Sequence, residues 1–284
     1  MDAAAAKAVP ALLERRAAGH PTGYTSVMPF PLMFCLLSCR PDPPGAASSA
    51  WFPRLGEPRW IIPGQSLPPE ATAMASNNNV SIHLFDERLY LGWRTAPTHF
   101  ASTETRMHLV SSPDLGSTWE HEAAFSMGTD LREPLLYSVG GVLHFSFFEG
   151  GDDALAFEPS TPWRSRLDGE EWSEPTGWGE EGEVPWDVVP HGGELYLTTY
   201  LGPHYELGSP GEIDVRLFSS EDGLDWRPVG DAASVYLGGA SEAAIGFDSD
   251  GVLWAVLRNE DGDGTGFGTL LCSAEPGSYG SWDC

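Results

Sequence analysis

Short runs of alternating apolar and polar residues, separated by glycine-rich turns, dominate this chain. Val80–Phe85, Leu89–Thr95 and Met107–Ser111 have strand length and strand periodicity, and a further strand is expected after Trp119. Few stretches carry a long helical pattern. The strand pattern then repeats. Leu89, Leu143, Leu195 and Leu253 each sit in a run that follows a tight turn, and they lie 54, 52 and 58 residues apart. Trp119, Trp172, Trp226 and Trp282 are spaced by 53, 54 and 56. Two independent markers keep one period and one phase over four copies. Units of that length made of four short antiparallel strands predict the blades of a β-propeller. A sandwich with a coincidental period is the alternative.

The turn Ser112–Trp119 has its own chemistry. Ser112 is a small polar residue, the Asp114 side chain can accept hydrogen bonds from its own turn, Gly116 takes a backbone angle that other residues avoid, and Trp119 folds back as a plug. Weaker copies precede the later tryptophans: Asp168-Gly169, Ser220–Gly223 and Ser273–Gly277. A chance turn between two strands is the bland reading of any one copy.

Composition narrows the picture. The chain has 284 residues with 33 Gly and 24 Pro, enough for one large all-β domain or two small ones. Its 41 acidic against 15 basic residues leave a net charge of -26, which repels nucleic acid and anionic membranes. Every basic residue after Arg40 is an arginine, so an arginine at a strand end is a candidate carboxylate receptor, with surface ion pairing as the alternative. Residues 1–50 read as an export signal and tether. Leu36-Leu37-Ser38-Cys39 resembles a bacterial lipobox, with Cys39 as the lipidated residue; plain secretion or a different start site are the alternatives. The expected location is periplasmic, outer-membrane or extracellular. Cys272 and Cys284 fall on neighbouring predicted strands, as a hairpin disulfide or as two buried thiols.

In a propeller the start of each innermost strand and the end of the next meet at one rim of the central channel. Polar residues there are the ligand candidates. They are Asn77–Asn79, Arg94 and His99 in the first repeat, and Arg132, Glu133 and Glu149 in the second. The third offers Asp187, Tyr200, His204 and Tyr205; the fourth offers Glu242, Arg258, Glu260 and Asp261. Inter-blade ion pairs and turn caps are the competing use of the same residues. Asp261-Gly262-Asp263-Gly264 resembles the start of a calcium loop, but the position at which an EF-hand places its glutamate is Cys272. No cofactor or metal is expected.

The S-x-D-x-G-x-T-W turn resembles the Asp box of sialidase-like β-propellers, secreted bacterial proteins of glycoside-hydrolase type. Further matching segments run from about Asn79 to Cys284, including Trp93–Ser102, Asp130–Pro134, Val184–Val188 and Ser241–Gly262. The resemblance implies an all-β propeller with four-stranded blades. It also implies six blades, or five in a related glycosidase architecture, so the four repeats read as an incomplete propeller. Glu242 and Arg258 match the spacing between the family's glutamate, which polarises a tyrosine nucleophile, and an arginine of its carboxylate-binding triad. On this resemblance Arg94, Arg132 and Arg258 hold an acidic sugar, with His99, Tyr200 and Tyr205 beside it, and Glu133 or Asp187 is the acid by position. Arg59–Pro63 does not match the family's Arg-Ile-Pro motif. The third arginine and the tyrosine belong to blades that these four repeats do not include. The implied function is an exo-glycosidase acting on, or binding, terminal acidic sugars. A non-catalytic glycan- or protein-binding propeller is one alternative. Another is a glycosidase for neutral sugars using Glu133, Asp187 and Glu242. The expected partner is a glycan, with membrane contact only through a lipid at Cys39, and the expected state is a monomer.

Overall fold

The alternating runs fold as strands in the order their pattern predicts. The structure, a computed structural model, describes residues 56–203, 212–263 and 266–284. Cys39, His204 and Tyr205 lie outside the described residues. Pro58–Cys284 forms one unit whose regular structure, among the described residues, is entirely β.

The first blade is β1 (Ser76–Phe85), β2 (Arg88–Ala96), β3 (Arg106–Ser112) and β4 (Glu120–Phe125), paired antiparallel in that order. The second is β5 (Leu131–Val139), β6 (Val142–Glu149) and β7 (Pro162–Asp168). Its outermost strand is broken into β8 (Glu171–Trp172) and β9 (Thr176–Gly177), both paired with β7. The third repeats this plan with β10 (Val184–His191), β11 (Glu194–Leu201), β12 (Ile213–Ser220), β13 (Arg227–Pro228) and β14 (Ser234–Gly238). The fourth has three strands rather than the expected four: β15 (Ala240–Phe247), β16 (Leu253–Asp263) and β17 (Gly266–Ala274). A single bridge, Ser273 to Asp283, stands where its fourth strand would be, and a Cys272–Cys284 disulfide holds it. The innermost strands β1, β5, β10 and β15 lie side by side in chain order, the arrangement of a β-propeller.

The core lies between blades. Met107, Leu109, Leu143, Phe145 and Phe147 are buried where blades one and two meet. Val184, Leu217, Ile245, Ala255 and Leu257 do the same between blades three and four. Each such side chain larger than alanine stabilises the fold by roughly 1.5–3 kcal/mol through burial. Gly92 is required at the first junction: a Cβ there would lie 2.5 Å from Phe145 Cε2. The segment Ile61–Ala71 covers Leu91, Trp93, Val110 and Trp119 on the other side of blade one. Two apolar strand faces are exposed among the described residues. Val80, Ile82 and Leu84 of β1 point away from blade two, and Trp254, Val256 and Leu271 of blade four point away from blade three.

The Ser112–Trp119 turn is locked by its own side chains. Gly116 N–H donates to Ser112 Oγ (2.7 Å), Thr118 N–H donates to Asp114 Oδ1 (2.8 Å), and Trp119 is buried. Ser220 and Asp222 make equivalent bonds before Trp226. Gly116, at φ 87°, holds the left-handed angle.

Candidate functional site

Each innermost strand breaks register once near its start. The break lies between Asn78 and Val80 in β1, Arg132 and Leu135 in β5, Pro185 and Asp187 in β10, and Ser241 and Ala244 in β15. A bulge lifts a residue out of the ladder and re-aims its side chain. Asn79, Glu133 and Glu242 occupy three of these bulges with φ of 48°, 47° and 53°. Left-handed backbone costs a non-glycine residue about 1–2 kcal/mol. Asparagine tolerates it well and glutamate does not. Strain of this kind persists only where the surroundings hold it, and it clusters at functional sites.

The bulges bring the first and second repeats together. Asn79 Nδ2 donates to Glu133 Oε1. Burial pushes the Glu133 carboxyl up to about 7, and the charge of Glu242 adds to that shift, while the Asn79 hydrogen bond and the Arg132 and Arg94 charges oppose it. Glu242 Oε1 accepts from Arg258 Nη1 at 2.8 Å.

Asp187 stands elsewhere than its spacing implies. It follows Glu133 by 54 residues, yet the blade-three bulge falls on Trp186. Asp187 therefore pairs with Thr198, at the level where Ser81 pairs with Gly92 in blade one. It does the work of Ser81 as well. Ile245 N–H donates to Asp187 Oδ2 (2.9 Å), as Leu136 N–H donates to Ser81 Oγ (2.9 Å), and each bond braces the next blade. Burial raises the Asp187 carboxyl, against the two backbone hydrogen bonds it accepts.

Arg94, Phe148, Tyr200 and Arg258 are equivalent, each five residues after a marker leucine, and the structure uses them differently. Arg94 is fully buried. Its Nε and Nη2 donate to Asp130 Oδ1 (3.0 and 2.6 Å), and its remaining bonds go to Asn78 Oδ1 and the carbonyls of Thr98 and Phe100. All five of its donors are engaged within the protein, so it leaves none for a substrate carboxylate. Tyr200 is likewise buried, beside Trp186 with ring centroids 6.3 Å apart, and does not line the rim cavity. Arg258 is 48% exposed.

A cavity of about 500 Å³ at this rim is lined by His99, Phe100, Arg132, Leu155, Phe157 and Arg258, among others. It gathers three of the expected binding residues from three different blades. Arg132 Nε donates to Asp130 Oδ2 (2.5 Å) and Nη2 to the His99 carbonyl (2.9 Å), with its guanidinium 6.0 Å from the Phe157 ring centre. Asn78 Nδ2 donates to His99 Nδ1 (2.7 Å). Glu149 is taken up by Trp163 Nε1 (2.8 Å), and Glu260 by the Ser241 hydroxyl. The hub that sequence reasoning overlooked is Asp130, buried and accepting from Arg94, Arg132 and Thr105. Its signal was present: an acid three residues before a bulged glutamate and two before an arginine.

The rim thus offers guanidinium groups beside aromatic walls in the cavity and, outside that cavity's lining, a carboxyl that gains or loses its proton near neutrality, Glu133, and a second carboxylate in an ion pair, Glu242. No family model matches this sequence, and no curated protein matches it by sequence. Solved structures match its fold. Zg3597, a family 117 glycoside hydrolase of the marine bacterium Zobellia galactanivorans, aligns with a TM-score of 0.50 at 13% identity, over 73% of this chain and 68% of that one. Trypanosoma rangeli sialidase in complex with sialic acid aligns with a TM-score of 0.53 at 14% identity, over 74% of this chain and 37% of the sialidase. This chain spans little more than a third of that enzyme's length. At these identities the likeness is one of fold, and the chain is an all-β propeller of the architecture that these glycoside hydrolases share.

Proposed function

We propose that this propeller is a glycoside hydrolase that acts at the channel rim on a terminal acidic sugar. The observation that carries the reading is Glu133, a glutamate held at left-handed φ on the channel strand, with its carboxyl raised to about 7 beside Glu242. A carboxyl tuned to that range delivers a proton to a leaving oxygen at neutral pH. Glu133 is the acid. Glu242, paired with Arg258, is the carboxylate that stabilises positive charge as it develops on the sugar ring. Arg132 and Arg258 receive the substrate carboxylate, and Phe100 and Phe157 pack against the ring. The sialidase of similar fold was solved with sialic acid, a sugar of this class. Asp187 supports the site by bracing β15. Export and a lipid at Cys39 belong to the same reading, since glycans of this class are met outside the cell.

A second reading is glycan binding without turnover, favoured by the ion pair in which Glu242 and Arg258 already satisfy each other. Hydrolysis of a fluorogenic sialoside separates the two. Turnover is expected, with Glu133→Gln lowering kcat by roughly 10²–10⁴-fold and abolishing the pH limb near 7. Sialoside binding that Arg132→Ala weakens, without turnover, establishes the second reading. Turnover of an arabinofuranoside instead moves the substrate to neutral sugars.

A further inference from the structure

A second cavity, larger than the one at the rim, lies away from it. It has a volume of about 920 Å³ and shares no lining residue with the rim cavity. One wall is the link from β9 to β10, and the other is formed by β12, β13 and the turn between them.

One part of it is aromatic. Trp178 and Trp226 stand with ring centres 6.3 Å apart and planes tilted by 32°, and Phe218 lines the cavity with them. Arg164 fixes this pair: its guanidinium sits 5.7 Å from the Trp178 ring, and its Nη1 donates to the Gly223 carbonyl (2.9 Å) in the turn that carries Trp226. The rest is polar. Arg216 donates to Asp214 Oδ2 (2.8 Å) and Glu180 Oε2 (2.7 Å). Among the described residues, Asp214 Oδ1, Trp178 Nε1 and Trp226 Nε1 have no hydrogen-bond partner, although all three atoms are buried. Those atoms are turned away from the cavity, and the polar groups left at its surface are carboxylate acceptors such as the exposed Glu180 and the guanidinium donors of Arg216, which suit a guest that both donates and accepts.

Charge selects among such guests. The lining holds four carboxylates, Glu180, Glu183, Asp214 and Asp225, against the single guanidinium of Arg216. That balance repels anions. A metal is not favoured either, because no group of three or more ligating side chains is placed to hold one among the described residues. An uncharged saccharide fits all of this. Its C–H face packs on an indole, and its hydroxyls meet carboxylate and guanidinium groups, the usual mix of apolar walls and a few fixed polar contacts. We propose that this cleft between blades two and three is a second, non-catalytic binding site for a neutral saccharide. It stands whether or not the rim hydrolyses anything.

The test is native affinity electrophoresis of the full chain in gels containing soluble neutral polysaccharides: arabinan, galactan, xylan and a β-glucan. At least one is expected to retard the protein. Ala232→Trp places a bulky ring into the cleft from an exposed position on its wall. It is expected to weaken retardation at least tenfold, as is Trp178→Ala, while Glu133→Gln leaves it unchanged. Circular dichroism checks that each variant is folded, and if Ala232→Trp is not, Trp178→Ala decides. Absence of retardation by all four polymers overturns the proposal. So does retardation that a folded Ala232→Trp or Trp178→Ala retains, or that is lost with Glu133→Gln.

Discussion

Arg94 and Arg258 occupy the same place in their blades, and their replacement by methionine is expected to cost very different amounts of stability. The Arg94 guanidinium and the Asp130 carboxylate are both inaccessible to solvent, with Arg94 Nη2 2.6 Å from Asp130 Oδ1. Arg94→Met removes all the bonds made by that guanidinium and leaves a buried carboxylate with only Arg132 Nε and Thr105 Oγ1. Breaking one partner of a buried ion pair costs about 3–5 kcal/mol. For a domain of this size that lowers Tm by roughly 6–20 °C. Arg258, half exposed in its pair with Glu242, is worth about 0–1 kcal/mol by the same measure. Urea unfolding followed by tryptophan fluorescence reads both variants. The double variant Arg94→Met/Asp130→Leu removes both charges, so it should lose less stability than the two single changes summed. A cost below about 1 kcal/mol for Arg94→Met, or strict additivity in the double variant, refutes the reasoning.

Two further outcomes follow from other groups. The Glu133 carboxyl sits near 7 when folded against an ordinary 4.5, so the folded state binds more protons between those values. Its contribution is fully present below pH 4.5 and is lost as pH rises through 7, a fall of about 3 kcal/mol. Glu133→Gln should flatten that slope in urea titrations between pH 4.5 and 8. Cys284→Ser opens a loop of 12 residues and should cost about 3 kcal/mol, with the wild type showing the same loss in dithiothreitol.

The blades were legible because their signals are local. Period-two alternation, Gly-Gly turns and a tryptophan at a fixed offset all operate within one hairpin, and they located β1, β2, β3 and their copies to within a few residues. Glu133 and Glu242 lie near the starts of innermost strands, where the strand-start rule put them. What escaped depends on partners far along the chain. Arg94 is engaged because Asp130 arrives from the next blade, 36 residues later. Tyr200 is buried because it joins the core cluster that blades three and four share, with Trp186 packed beside it. Asp187 shares the repeat's spacing but not its role, because the bulge in β10 falls at Trp186, so that Asp187 pairs where Ser81 does in β1. Register is settled by pairing between strands, and a one-residue difference there reassigns a side chain from channel to brace.

The recurring bulge has an evolutionary consequence. A residue lifted out of the ladder no longer takes part in the alternation that packs one blade on the next. Its identity is thereby uncoupled from the folding of the blade that carries it. Asn79 and Glu133 show this within one molecule: the same backbone kink presents an amide in one repeat and an acid in the next. A scaffold built so can exchange its chemistry one blade at a time, by single substitutions, while the hydrophobic pattern that specifies its shape stays untouched.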